Sequence, residues 1–156
     1  MIGNIKIIAV CMCKVYDERN YRIIRALNNL AVENDYRLFV YHTCSDLYWK
    51  TLSEKGEQSV FDLIDYNITD AVVTFEEGVY AENVMTKIRM DAAKYGKPVI
   101  SVGVEHDDCI SIKFDYAKGF EQVVRHVIEQ HGVRDIGFIA GRKDEENSEE
   151  RIAVFR

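Results

Sequence analysis

ISIKFDYAKGFEQVVRHVIEQHGVRDIGFIAGRKDEENSEERIAVFR, the stretch from Ile110 to Arg156, reads as strand, helix, strand, loop and the start of another helix. Phe120, Val123, Val124, Val127 and Ile128 recur at i, i+3, i+4, i+7 and i+8, so they share one apolar face of a helix over Tyr116 to Gln130. His131 and Gly132 close that helix, because glycine takes the left-handed conformation of a C-terminal cap without steric cost. The apolar run Ile136 to Ala140 predicts a buried strand ending at Gly141. Asn147 with Glu150 predicts a capping box for the last helix. The stretch stops just inside that helix, so the chain is expected to be part of a longer protein.

Upstream, Lys6 to Cys13, Arg37 to His42, Asp70 to Phe75 and Val99 to Val104 are further apolar runs of strand length, and Ile110 to Phe114 is a short one. Helical faces lie between them. Ile24, Leu27, Leu30 and Ala31 follow the polar cluster Tyr16 to Asn20, and Ala81, Val84, Met85 and Ile88 precede the break at Gly96-Lys97-Pro98. The polar stretch Thr43 to Gly56 surrounds Leu47, Tyr48 and Trp49 without a clear period, and Trp49 either lines a cleft or anchors the loop, the anchor being the first expectation. Ser59 to Ile64 predicts a short helix with Ser59 as its cap. Strand and helix alternate throughout, which predicts an α/β fold with a parallel sheet flanked by helices on both faces.

With 47% hydrophobic and 29% charged residues, 156 residues suffice for one ordinary globular domain with a sizeable core. A formal charge of -6, without a basic patch, argues against direct nucleic-acid binding by this segment. No apolar run approaches the roughly 20 residues that cross a bilayer. The start, MIGNIKIIAV, lacks the cleavage site of a signal peptide. A cytoplasmic location without a membrane partner is expected. Cys11, Cys13, Cys44 and Cys109 match no disulfide framework and are expected as reduced thiols. Cys11 and Cys13 point to one face of a strand and could join His42 or His106 around zinc. No second ligand pair has matching spacing, so no metal or other cofactor is expected.

Ligands of open α/β sheets bind outside the carboxyl ends of the strands. The loop after the first strand reads Lys-Val-Tyr-Asp-Glu, and no glycine lies between Gly3 and Gly56, which excludes a phosphate-cradling G-x-G-x-x-G turn. A receiver-like acidic pocket fares no better, since the third strand ends in Thr74 and Phe75 and its Asp70 stands at the opposite end.

A family pattern runs through the tail. Phe114, Asp115, Tyr116 and Gly119, then His126-Val127-Ile128-Glu129, then His131-Gly132-x-Arg134-x-Ile136-Gly137-Phe138-Ile139-x-Gly141, then Ser148 and Arg151, resemble the LacI/GalR type of periplasmic-binding-protein-like sensor domain. Asp70-Ala71-Val72-Val73 and Gly96-Lys97-Pro98-Val99-Ile100 are similar to two of that family's strands. The departures are His131-Gly132-Val133, where Gly-His-Arg often begins, and Val154 in place of a frequent glycine. Glu18 to Leu27 and Gly56 to Tyr66 are similar to sensors that precede GGDEF diguanylate cyclase domains.

The resemblance implies a type I periplasmic-binding-protein-like fold, with residues 1–115 as the first lobe and 116–156 as the beginning of a truncated second lobe. It implies sensing of a small sugar-like molecule or metabolite, with lobe closure regulating an attached output domain. A diguanylate cyclase is the first expectation for that output. The alternatives are a transcription regulator without its helix-turn-helix and a stand-alone α/β enzyme; the segment itself is expected to be non-catalytic. A homodimer is expected, because the helix from Tyr116 exposes an apolar face unless it packs on a neighbouring chain.

Ligand candidates follow from the same resemblance. Arg151 matches a ligand-contacting arginine, whose planar guanidinium binds hydroxyls or a carboxylate in a fork; its plainer role is a surface ion pair with Glu149. Phe114 matches an apolar wall that stacks on a sugar ring, or is a core aromatic. Asp115 orients a ligand or caps the following helix. Tyr16 and Asp17 stand in the first strand-to-helix loop, within reach of a ligand, or simply begin a helix whose dipole favours Asp17. Gly103 occupies a position where several sugar-binding relatives carry Asp, which argues against a hexose-like specificity.

Overall fold

The computed structural model describes residues 5–77, 79–143 and 145–156. The chain forms two compact units that divide after Lys113.

The first unit is built on a parallel sheet. Its strands are β1 (Lys6–Cys13), β2 (Tyr36–Thr43), β3 (Ala71–Phe75), β4 (Val99–Val102) and β5 (Ile110–Ile112). They lie in the order β2-β1-β3-β4-β5, with Cys11 opposite both Tyr41 and Thr74. Helix α1 (Glu18–Glu33) joins β1 to β2, α2 (Leu52–Gln58) and a 3-10 turn over Ser59–Leu63 join β2 to β3, and α3 (Glu82–Lys94) joins β3 to β4. The chain turns outward to β2 and then steps back past β1 to β3, so right-handed crossovers put α1 on one face of the sheet and α2 and α3 on the other.

The core lies on the α2 and α3 face. Ala9, Cys11 and Cys13 of β1, Val72 and Val99 meet Phe61, Ile64, Met85, Ile88 and Ala92 there, all buried. The opposite face is covered near β1, where Val10 and Met12 are buried. It opens toward β5, whose Ile110 and Ile112 are 61% and 50% exposed. Helices thus flank the sheet as expected, and on the α1 side the cover thins toward β5.

Helix starts differ from several expectations. Ser59 does not cap a helix that follows; it ends α2, and its hydroxyl donates to the Gly56 carbonyl at 2.7 Å. The cap lies eight residues earlier, where Thr51 Oγ1 accepts from Glu54 N at 3.2 Å and the Glu54 carboxylate accepts from Thr51 N at 2.9 Å. That reciprocal box organises the stretch that had no period. Trp49 does not anchor this loop by burial, since its side chain is 76% exposed; Leu47, fully buried in the core, does.

The second unit holds α4 (Tyr116–His131) and α5 (Glu146–Phe155). Gly132 caps α4 at φ 64°, with its N–H on the Ile128 carbonyl at 3.1 Å. Ile136 to Ala140 is not a buried strand: Ile139 is 95% exposed and the segment pairs with no strand among the described residues. An extended segment becomes a strand only by pairing, and the described residues of this unit hold no second strand. Phe138 instead packs its ring 5.0 Å from both Phe120 of α4 and Phe155 of α5. The Asn147–Glu150 capping box is also absent. The helix starts earlier with Glu145 as its cap residue, and Glu145 accepts from the Ser148 hydroxyl at 2.9 Å.

Candidate ligand site at the carboxyl edge of the sheet

The carboxyl ends of β1, β2, β3 and β4 lead into loops on one edge of the first unit, and these loops are tied to one another. Asn20, in the first turn of α1, donates its amide to the carbonyls of Cys13 and Lys14 at 3.0 and 3.1 Å, fixing the helix start on the end of β1. Lys14 N donates to the Thr43 carbonyl at 2.7 Å, and Lys14 Nζ reaches Asp46 Oδ2 at 2.9 Å. That contact raises the Lys14 ammonium above its ordinary pKa and holds the Asp46 carboxyl below the usual carboxylate range. The Asp46 carbonyl in turn accepts from Tyr80 N at 3.0 Å. Glu57 reaches back from α2 to accept from Cys44 N, Ser45 N and the Ser45 hydroxyl at 2.9 to 3.0 Å. These donors, the Ser45 N–H first, depress the Glu57 carboxyl.

Local backbone strain collects at the same edge. Lys14, Leu47 and Lys50 adopt positive φ of 49°, 63° and 54°. Non-glycine residues hold such angles when their surroundings over-determine them. Here the ion pair fixes Lys14 and core burial fixes Leu47. Gly103, at φ 101°, has a packing reason to be glycine: a Cβ there would lie 2.6 Å from Glu77 Cβ and 2.9 Å from Glu77 N. Glu77, pressed against the end of β4 in this way, meets Arg19 of α1 at 2.6 Å.

Beneath these loops lies a buried charge network that the sequence reading missed. The Glu76 carboxylate accepts from Arg89 Nη1 at 2.9 and 3.0 Å, from the Thr74 hydroxyl at 2.8 Å and from the Ser101 hydroxyl at 3.3 Å. His106 Nε2 is 3.0 Å from its other oxygen. Glu76 and Arg89 are both about as buried as the apolar core. Arg89 Nε has no hydrogen-bond partner and faces Asp108 at 3.7 Å. A signal was present. Arg89 falls on the apolar stripe of Met85, Ile88 and Ala92, and a cation there requires a buried counter-charge.

Tyr16 and Asp17 lie on this edge. Tyr16 is 80% exposed, with its ring edge-on to His42 at 5.4 Å between centroids. Asp17 is the N-cap residue of α1, and its side chain makes no capping bond. Tyr48 adds aromatic surface, edge-on to Trp49 at 4.7 Å and to Tyr80 at 5.3 Å. The edge thus offers exposed aromatic faces beside fixed ion pairs, a combination that suits a small polar ligand with apolar ring faces.

The other candidates belong to the second unit. Phe114 is half-exposed and lies 5.8 Å from the Tyr116 ring. Asp115 caps α4, its carboxylate accepting from Lys118 N at 2.8 Å. Arg151 Nε donates to the Asn147 carbonyl at 2.8 Å rather than pairing with Glu149. Gly141 leaves room for the buried Ser148, whose hydroxyl would lie 2.2 Å from a Cβ at that position.

Cys11 and Cys13 share a strand face as expected and are buried, which pushes the Cys11 thiol strongly up and the Cys13 thiol to about 11. His106 is turned to Glu76 instead. Among the described residues no group of three or more His, Cys, Asp or Glu is arranged to hold a metal ion, and no helix is long and apolar enough to cross a membrane.

A five-stranded parallel sheet in this order, flanked by helices, is the type I fold of LacI regulators and periplasmic-binding-protein-like domains. The lac repressor dimer bound to operator and the anti-inducer ONPF is similar over 96% of this chain and 42% of its own, with TM-score 0.65 and 13% identity. A periplasmic binding protein/LacI transcriptional regulator from Alkaliphilus metalliredigens, complexed with D-xylulofuranose, is similar over 96% and 50%, with TM-score 0.65 and 19% identity. The transcription regulator CcpA of Lactococcus lactis is similar over 96% and 51%, with TM-score 0.67 and 20% identity. The chain thus spans about half the length of the solved structures it matches. No family model matches the chain, and no curated protein matches it.

Proposed function

We propose that this chain is part of the effector-sensing domain of a LacI-type transcription regulator, and that it binds a small polar metabolite of the sugar class. The observation that carries the reading is the likeness of fold to regulators over nearly the whole chain, one of them solved with a furanose sugar. The loops at the carboxyl edge support it, because Tyr16, Tyr48 and Trp49 provide ring-stacking surface and the Lys14–Asp46 and Arg19–Glu77 pairs provide hydrogen-bonding groups. Asp17 adds an acceptor from the first loop, and the family resemblance adds Phe114, Asp115 and Arg151. Binding biases a closed state over an open one by the ligand's difference in affinity for the two, and the attached output reads that shift. The segment senses rather than catalyses, works as a homodimer and acts in the cytoplasm.

A diguanylate cyclase output rests on the resemblance at Glu18–Leu27 and Gly56–Tyr66 alone. The regulator reading has the likeness of fold as well and is preferred. Isothermal titration of the full-length protein with a panel of pentoses, hexoses and their phosphates tests ligand class. Saturable binding of a member, weakened by Tyr16→Ala and Trp49→Ala, is expected. Absence of binding across the panel would remove the sugar assignment.

A further inference from the structure

We propose that His126 and His131 form a two-histidine site for a zinc-like transition-metal dication at the C-terminal end of α4. Their Nε2 atoms are 3.1 Å apart, with ring centroids 4.9 Å apart and planes at 76°. Both side chains are exposed, so an ion has access. Zinc bonds imidazole nitrogen at about 2.0–2.1 Å, so two nitrogens on one tetrahedral ion stand roughly 3.3–3.4 Å apart. The observed separation needs to open by only a few tenths of an ångström.

Without metal, one Nε2–H donates to the other Nε2. On binding, the donor ring carries its proton on Nδ1 instead, and the ion takes the place of the shared proton between two lone pairs.

The local fold favours this pairing. His131 is the last residue of α4, and the left-handed Gly132 turns the chain away immediately after it. The C-terminal end of a helix carries partial negative charge, which favours a cation. The neighbouring cation, Arg125, is paired with Glu121 and Glu129, so its charge is compensated. No third His, Cys, Asp or Glu joins the pair among the described residues. Water then fills the remaining positions, and imidazole ligation suits zinc, nickel or copper rather than magnesium or calcium.

Titration of untagged, chelator-stripped protein with zinc chloride, followed by calorimetry and by ring 15N shifts, tests the site. One equivalent per chain is expected, with the largest shifts at His126 and His131. His126→Gln and His131→Gln should each weaken binding by at least about tenfold, since even losing a supporting partner of a metal ligand costs that much. Cys44→Ser, at the exposed thiol, should leave binding unchanged. Unchanged affinity in both histidine variants, or a loss in Cys44→Ser alone, would overturn the assignment. Both histidines lie on the surface, and circular dichroism of each variant verifies that the fold is retained.

Discussion

Replacing Arg89 with Met should destabilise the protein far more than a typical substitution. Met has similar length and leaves no large cavity, so the effect isolates charge. Glu76 would keep the Thr74 and Ser101 hydroxyls and His106 but lose its buried counter-ion. Stranding one member of a buried pair costs about 3–5 kcal/mol, against a total of about 5–15 kcal/mol for a domain. Glu76→Gln strands Arg89 instead and should cost a similar amount, with Nε already lacking a hydrogen bond. The double variant Glu76→Gln/Arg89→Met removes both charges and should recover most of the loss, so the two single losses should be far from additive.

Urea unfolding followed by circular dichroism measures this. With a slope of about 2 kcal/mol/M, each single variant should lower the midpoint by roughly 2 M and the double variant by well under 1 M. If the single variants each lose less than about 1 kcal/mol, or if the double variant loses their sum, the pair is not a coupled buried unit and the reasoning fails.

Gly103→Ala places a Cβ against Glu77 at a positive φ and should cost about 2–3 kcal/mol, read as a lower thermal midpoint. Thr51→Ala removes the capping box of α2 and should cost about 1 kcal/mol in the same assay. The Lys14–Asp46 pair sets two pH limits. Asp46, depressed when folded, contributes stability above the unfolded value of about 3.9 and loses it as pH falls through its folded value. Lys14, raised when folded, contributes below about 10.4 and loses that as pH rises through its folded value. Asp46→Asn should therefore narrow its stability deficit against wild type toward both extremes, and an equal deficit at all pH values would refute the linkage. Both side chains are partly exposed, so the change is a small part of the total.

What was legible in the sequence is what local pattern determines. β1 is a continuous apolar run buried by helices, and α4 is an apolar stripe closed by Gly132; both stand within a residue of where the pattern puts them. The errors share a cause. Ile136 to Ala140 has the composition of a strand, but strand formation depends on a partner elsewhere in the chain, and an aromatic cluster around Phe138 takes its place. Ser59 and Asn147 have the chemistry of caps, yet Thr51 and Glu145 occupy those positions, because a cap also requires the chain before it to approach in an extended conformation.

The carboxyl edge shows the same division. Tyr16 and Asp17 can be placed on this edge because they follow a strand end, a position that sequence order reveals. The Glu76, Arg89 and His106 network joins the end of β3, the middle of α3 and the loop after β4, and only the sheet order brings these together. Its place gives it a consequence for the candidate site. Glu76 is covalently next to Glu77, which touches the end of β4 at Gly103 and reaches Arg19 on α1. The buried network therefore fixes from below the loop that carries one of the two ion pairs at the edge. Loss of Arg89 should loosen that loop before it unfolds the domain, so hydrogen exchange in Arg89→Met should rise first at Glu77 and its flanking amides. Uniform acceleration across the first unit would instead mean that the network acts only on global stability.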